Sequence, residues 1–259
     1  MCLVVFAWQA RPDLKLAVAA NRDEFHRRPT ARAAFWAEAP SVLAGRDLEA
    51  GGTWLGVTRS GRMAFLTNHR DPPAQRGGAP SRGALVADFL RGGETPADYV
   101  RRNLKDAPRF NGFHLVVGDA DELWYLTNTG VPPRRLQPGV HGLSNGPLDD
   151  PWPKTVRSKE RLEALVSGGT PEPGALLDLL ADGERAPDDS LPSTGIPVEW
   201  ERLLSAPFVA SVSYGTRSSS ALVVTDDGVR FVERTFELGR AVPPDVDSSF
   251  ALARRPPPQ

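Results

Sequence analysis

Thiols are almost absent from this chain: its 259 residues hold one cysteine, Cys2. A single thiol closes no intramolecular disulfide, so cysteine content gives no argument for an oxidising compartment or a stapled scaffold. Long apolar runs are missing as well. Each falls far short of the roughly 20 residues a helix needs to cross a bilayer. The first, Leu3 to Trp8, starts without a basic flank and gives way to Gln9, Arg11 and Asp13. That is the pattern of a buried strand rather than a secretory signal. Charge imbalance is a third absence: 31 basic residues face 32 acidic ones, and a net charge of -1 gives no overall attraction to nucleic acid or anionic lipid. The expectation is a cytoplasmic protein whose partners are small molecules, with no nucleic acid and no membrane span, and with its oligomeric state open.

Phosphate and metal motifs are lacking too. The glycine-rich GRDLEAGGTWLG at 45–56 matches neither GxxxxGK[ST] nor GxGxxG, and its glycines read as a tight turn entering a strand. The four histidines, His26, His69, His114 and His141, show no HxxxH or CxxCH spacing and no zinc-type cluster.

What is present is an ordinary globular composition, 40% hydrophobic and 24% charged. A single domain of this length buries about 75% of the surface its unfolded chain exposes. Short β-like runs come in pairs: CLVVFAW with LKLAVAAN, TWLGVT with RMAFLTN, and FHLVVGD with LWYLTN, followed by VHGLSN and a closing meander of FVASVSYG, SSALVVTD and VRFVERTF. Helical patterning lies between these groups, in RGALVADFL, Pro96 to Leu104, WPKTVRSKERLEALV and PGALLDLLA. Strand blocks with helices between them predict a layered α+β domain over residues 1–250, with residues 251–259 as a disordered tail. The loops Asp71 to Gly83 and Ala181 to Pro197 read as surface connections with the makings of a lid.

Cys2 raises the chemistry. If Met1 is removed, Cys2 carries a thiol and a free α-amine whose ordinary pKa is about 7.7–8.0, so one residue supplies nucleophile and base. NRDEF at 21–25 ends the second strand, which sets Arg22 and Asp23 beside the first strand's start. A guanidinium there lowers the thiol pKa and a carboxylate holds the amine. Asn68, Asn128 and Asn145 each close an apolar run and are candidate oxyanion donors. Singly, each also fits an ordinary turn position.

MC at the start, ANRDE at 20–24, GGTWLG at 51–56, TNHR at 67–70, FNGFHL at 110–115, HGLSNGP at 141–147 and YGTRSSS at 214–220 together resemble the NRDE family, also called the transport and Golgi organisation protein 2 family. The resemblance implies an N-terminal-nucleophile-hydrolase-like fold, a four-layer αββα sandwich of two antiparallel sheets. It extends more loosely to cysteine amidohydrolases such as bile salt hydrolase and penicillin V acylase. Their pattern falls on Cys2, Arg22, Asp23, Asn68, Asn145 and Arg217 as catalytic positions, although there the arginine and aspartate are not adjacent. It implies hydrolysis of an amide or thioester with no cofactor required. The family's association with haem trafficking and lipid homeostasis implies the alternative, a non-catalytic haem or acyl-lipid carrier. Haem is then a bound ligand, with the four histidines, Cys2 or Met63 as candidate iron ligands and Trp54 and Trp152 as planar walls.

Overall fold

The computed structural model describes Cys2 to Ala253; Met1, the side chain of Cys2 and residues 254–259 lie outside the described residues. The first predicted hairpin forms as β1 (Cys2–Arg11) and β2 (Leu14–Phe25). Successive strand residues face opposite ways. On β1, Leu3, Val5 and Ala7 therefore pack under helices, while Val4, Phe6 and Trp8 pack into a core between two sheets. Burial on both sides explains why this run is apolar without alternation. Phe6 is fully enclosed, and truncation to alanine there costs about 3–5 kcal/mol.

The second sheet is a seven-stranded meander in sequence order: β3 (Thr30–Trp36), β4 (Ala39–Asp47), β5 (Leu55–Thr58), β6 (Met63–Asn68), β7 (Phe113–Gly118), β8 (Leu123–Thr127) and β9 (Arg134–Arg135). The helices α1 (Gly83–Arg91) and α2 (Pro96–Asp106) cover its outer face through Val86, Phe89, Leu90 and Tyr99. The first sheet adds β10 (Gly139–Leu143), β11 (Tyr214–Val224), β12 (Val229–Glu237) and β13 (Arg240–Phe250) in the order β10-β1-β2-β11-β12-β13. Its outer face is covered by α3 (Pro153–Ser167) and α4 (Pro173–Leu180) through Leu162, Val166, Leu176 and Leu180. The result is the αββα sandwich of two antiparallel sheets. Among the described residues, no helix is long and apolar enough to cross a membrane.

Three kinds of element departed from the sequence reading. The β3–β4 hairpin has mixed burial and irregular register, so no clean period marked it. β13 carries Pro243 and Pro244, which a sheet edge tolerates because no further strand needs their N–H groups. A fifth helix, α5 (Val198–Leu204), is only seven residues long. The tail expected from residue 251 begins with anchored residues, because Ala253 N–H donates to the Arg59 carbonyl at 2.8 Å and Leu252 packs on the inter-sheet core.

Candidate functional site

The site is assembled by register. On β1 and β2, the backbone of Cys2 pairs with Arg22; on β2 and β11, Arg22 pairs with Ser218. On the other flank Val4 pairs with Leu143, so Asn145 leaves β10 at the end of the sheet where Cys2 begins. Three chain segments distant in sequence thus meet at one sheet end.

Arg22 and Asp23 are neighbours on a strand, so their side chains serve opposite faces of it. Arg22 is buried, donating from Nη1 to Thr30 Oγ1 at 3.1 Å and from Nη2 to Asp47 Oδ2 at 3.2 Å. Its guanidinium lies over Trp54, 4.4 Å from the ring centroid. Burial works against the Asp47 carboxylate, but hydrogen bonds from Arg28 and the Ala50 N–H, with the charges of Arg28 and Arg22, hold its pKa below the ordinary value. Asp23 accepts from Thr216 Oγ1 at 2.7 Å. Complete burial pushes its pKa up, against the opposing charge of Lys154 on α3. The adjacent pair therefore finds its partners on opposite faces of β2, while both residues border the same cleft.

Asn145 is 1% exposed. Its Nδ2 donates to the Asn68 carbonyl at 2.6 Å, while its own carbonyl accepts the Arg70 N–H at 2.9 Å. An amide carries a second N–H beyond this bond. Arg70 reaches Asn145 Oδ1 at 3.3 Å, forms a buried ion pair with Glu201 on α5, and lies 4.9 Å from the Trp152 ring centroid. Arg70 immediately precedes the loop expected as a surface connection, yet it is buried and borders the site.

Two clefts open here. One, of about 440 Å³, is lined by Arg22, Asp23, Trp54 and Asn68, with residues 79–83 as one wall. The other, of about 220 Å³, is lined by His69, Arg70 and Asn145, and it shares Asn68 and Arg82 with the first. The loop Asp71 to Gly83 therefore does border a pocket.

Arg217 lines neither cleft. It sits at the register shift of β11 and donates from Nη1 to the carbonyls of Phe25, His26 and Arg28 at 3.1, 2.8 and 3.2 Å, which clamps the turn between β2 and β3. Asn128 likewise serves structure, accepting the Phe113 N–H and donating to the Ala107 and Phe110 carbonyls.

Two of the histidines stand apart and two form a pair. His26 Nε2 contacts the Ser211 carbonyl at 3.0 Å, His141 Nδ1 contacts Asp149 Oδ2 at 2.8 Å, and His69 contacts His114 at 3.1 Å. Met63 is fully enclosed between the sheets. Trp54 and Trp152 each carry a guanidinium on a ring face. Asp47, Lys154, Glu201 and Thr216 were not anticipated. Asp47 lies inside the motif GRDLEAGGTWLG, a usable signal. Glu201 lies 131 residues from Arg70, and nothing local marks it.

The model of the Transport and Golgi organisation 2 family matches residues 1–238. The Transport and Golgi organization protein 2 homologue of Bos taurus is 37% identical over 259 residues, covering 91% of this chain and 93% of the relative. The Homo sapiens homologue is 35% identical over 257 residues with the same coverage. Among solved structures, a mutant of the conjugated bile acid hydrolase from Clostridium perfringens is similar with a TM-score of 0.53 and 11% identity, covering 96% of each chain. A Caenorhabditis elegans orthologue of N-acylethanolamine-hydrolyzing acid amidase gives 0.50 and 10%, covering 86% of this chain and 92% of that one. At such identities these two likenesses bear on the fold alone.

Proposed function

The chain belongs to the Transport and Golgi organisation 2 family, and from that premise we propose that it is a cysteine-nucleophile hydrolase of a small-molecule amide or thioester. The observation that carries the reading is the meeting of the Cys2 backbone, Arg22 and the Asn68–Asn145 pair at one sheet end, beside two joined clefts. Both solved structures of similar fold are named for hydrolysis or amide hydrolysis.

Once Met1 is removed, the α-amine of Cys2 takes the thiol proton and the thiolate attacks the acyl carbon. Arg22, fixed by Thr30, Asp47 and Trp54, brings positive charge that favours the thiolate. The second N–H of Asn145, with the amide of Asn68, meets the developing oxyanion. Asp23, buried beside Lys154 and Thr216, holds charge balance on the helix side. Arg217 fixes the turn that follows β2.

Carriage of haem or acyl lipid has less support. His26 and His141 lie apart, His69 and His114 face each other with His114 fully buried, and the larger cleft is bordered chiefly by arginines and carboxylates. Intact-mass analysis tests the proposal: the purified chain is weighed before and after exposure to a panel of N-acyl amides and thioesters. Loss of Met1 with a transient acyl adduct on Cys2 is the expected result. Retained Met1 with no adduct overturns it, and haem titration then tests the carrier.

A further inference from the structure

His69 of TNHR and the residues of FNGFHL have no part in the cysteine chemistry just described, yet the fold joins them. His69 N–H donates to the Gly112 carbonyl at 2.9 Å. A Cβ at position 112 would stand 2.8 Å from His69 Cβ and 3.3 Å from its ring, so glycine is what lets the imidazole lie against this backbone. His69 Nδ1 lies 3.1 Å from His114 Nε2, and His114 Nδ1 lies 2.8 Å from the Tyr125 hydroxyl. His114 is wholly enclosed; burial first, and the charge of His69 second, pull its pKa down to about 3. It is therefore neutral, with one N–H and one lone pair.

With His69 Nδ1–H donating to His114 and His114 Nδ1–H donating to Tyr125, the ring of His69 is held and Nε2 is left to exchange a proton. His69 lines the smaller cleft with Asn68 and Asn145. The charged groups facing it there are Arg70, Asp71 and Arg82, with His114 behind.

We propose that His69 is a second catalytic residue, which protonates the leaving nitrogen through Nε2 while His114 and Tyr125 position its ring; this rests on the hydrolase reading. When the tetrahedral intermediate collapses, the C–N bond breaks and the nitrogen takes the proton from the His69 imidazolium. Water then attacks the thioester carbon and gives a proton to the neutral Nε2. The C–S bond breaks, and the departing thiolate recovers its proton from the Cys2 α-ammonium. Carboxylic acid and amine leave, and both proton carriers are restored.

The test compares 4-nitroacetanilide with S-(4-nitrophenyl) thioacetate on the full chain. The anilide nitrogen must be protonated to leave; 4-nitrothiophenolate departs as an anion. Rates are read as the single-turnover release of 4-nitroaniline or 4-nitrothiophenolate under excess enzyme, before hydrolysis of the acetyl-enzyme that both probes share. His69→Gln is expected to lower the anilide rate more than the thioester rate, by a factor on the order of 100. Both rates are read on one sample, so loss of folded protein cancels in their ratio. An equal fall in both rates, or no fall, while Cys2→Ala abolishes turnover, overturns the assignment of His69 and leaves the hydrolase standing. Wild-type protein that turns over neither probe, or turnover that survives Cys2→Ala, overturns both.

Discussion

Two walls of the site are built from the same three parts. Arg22 pairs with Asp47 over Trp54; Arg70 pairs with Glu201 over Trp152. They differ in depth and in reach. The Arg22 wall opens to solvent through Arg28, which bonds Asp47 at 2.8 Å and Glu49 at 2.9 Å, and Asp47 also accepts N–H groups from its own turn. In the Arg70 pair both side chains are nearly sealed, 3% and 5% exposed. There burial pulls the arginine's pKa down against the carboxylate that holds it up. The contrast teaches that one recognition element can be set by a local chain turn or by a distant helix, and that only the second ties its geometry to the whole fold.

Breaking the sealed pair should have the larger effect. Glu201→Leu leaves Arg70 charged and buried, and is expected to cost about 3–5 kcal/mol of unfolding free energy by urea titration. It also frees the segment before α5, because Glu201 Oε1 accepts from Thr194 N–H at 3.0 Å. The double variant Arg70→Met/Glu201→Leu should recover much of the loss. Full recovery of stability without recovery of turnover would assign Arg70 to the site rather than to the fold.

The open wall should give less. Asp47→Asn keeps the shape and removes one charge that water and Glu49 partly replace, with an expected loss of about 1–2 kcal/mol in the same titration. Turnover should fall further than stability, since Arg22 loses the partner that aims it. Equal losses for Asp47→Asn and Glu201→Leu would erase the distinction between the two walls.

The smallest effect is a pH slope. Glu233 is buried behind the Arg22 wall, accepting from Ala33 N–H at 2.7 Å and Ser220 Oγ at 3.3 Å. Burial raises its pKa above the ordinary value. A carboxyl with its folded pKa raised binds its proton more tightly in the native state, so its contribution favours folding below the unfolded pKa and is lost as pH rises through the folded one. Glu233→Gln should flatten that part of the Tm–pH profile, and an unchanged slope would remove Glu233 from the account.

The same contrast explains what the sequence disclosed. The β1–β2 hairpin, β5 to β8 and four helices follow from apolar period and turn residues, and the αββα layering follows from the family resemblance. Asn68 closes β6 and Asn145 follows β10, where local patterning put them, while Arg22 lies inside β2 rather than leaving the sheet. The opposite facing of Arg22 and Asp23 follows from strand alternation once the strand is known to run through Phe25. Glu201 and Lys154 stayed hidden because their partners are set by helix packing over long separations, which no local period records. Arg217 was expected between two strands, FVASVSYG and SSALVVTD, where the single strand β11 runs instead, and its reach to the carbonyls of Phe25, His26 and Arg28 depends on a bulge that composition does not show.

Gly52 and Gly83 stand where the turn after β4 meets the start of α1. A Cβ on Gly52 would fall 2.4 Å from the Gly83 carbonyl carbon, and Thr53 N–H donates to the Gly83 carbonyl at 3.2 Å. The Trp54 side of the larger cleft and its facing loop wall are thus spaced by two hydrogen atoms where any other residue would drive a methyl wedge. The width of the larger cleft is gauged at that joint, by Gly52 behind its lining and Gly83 in its wall.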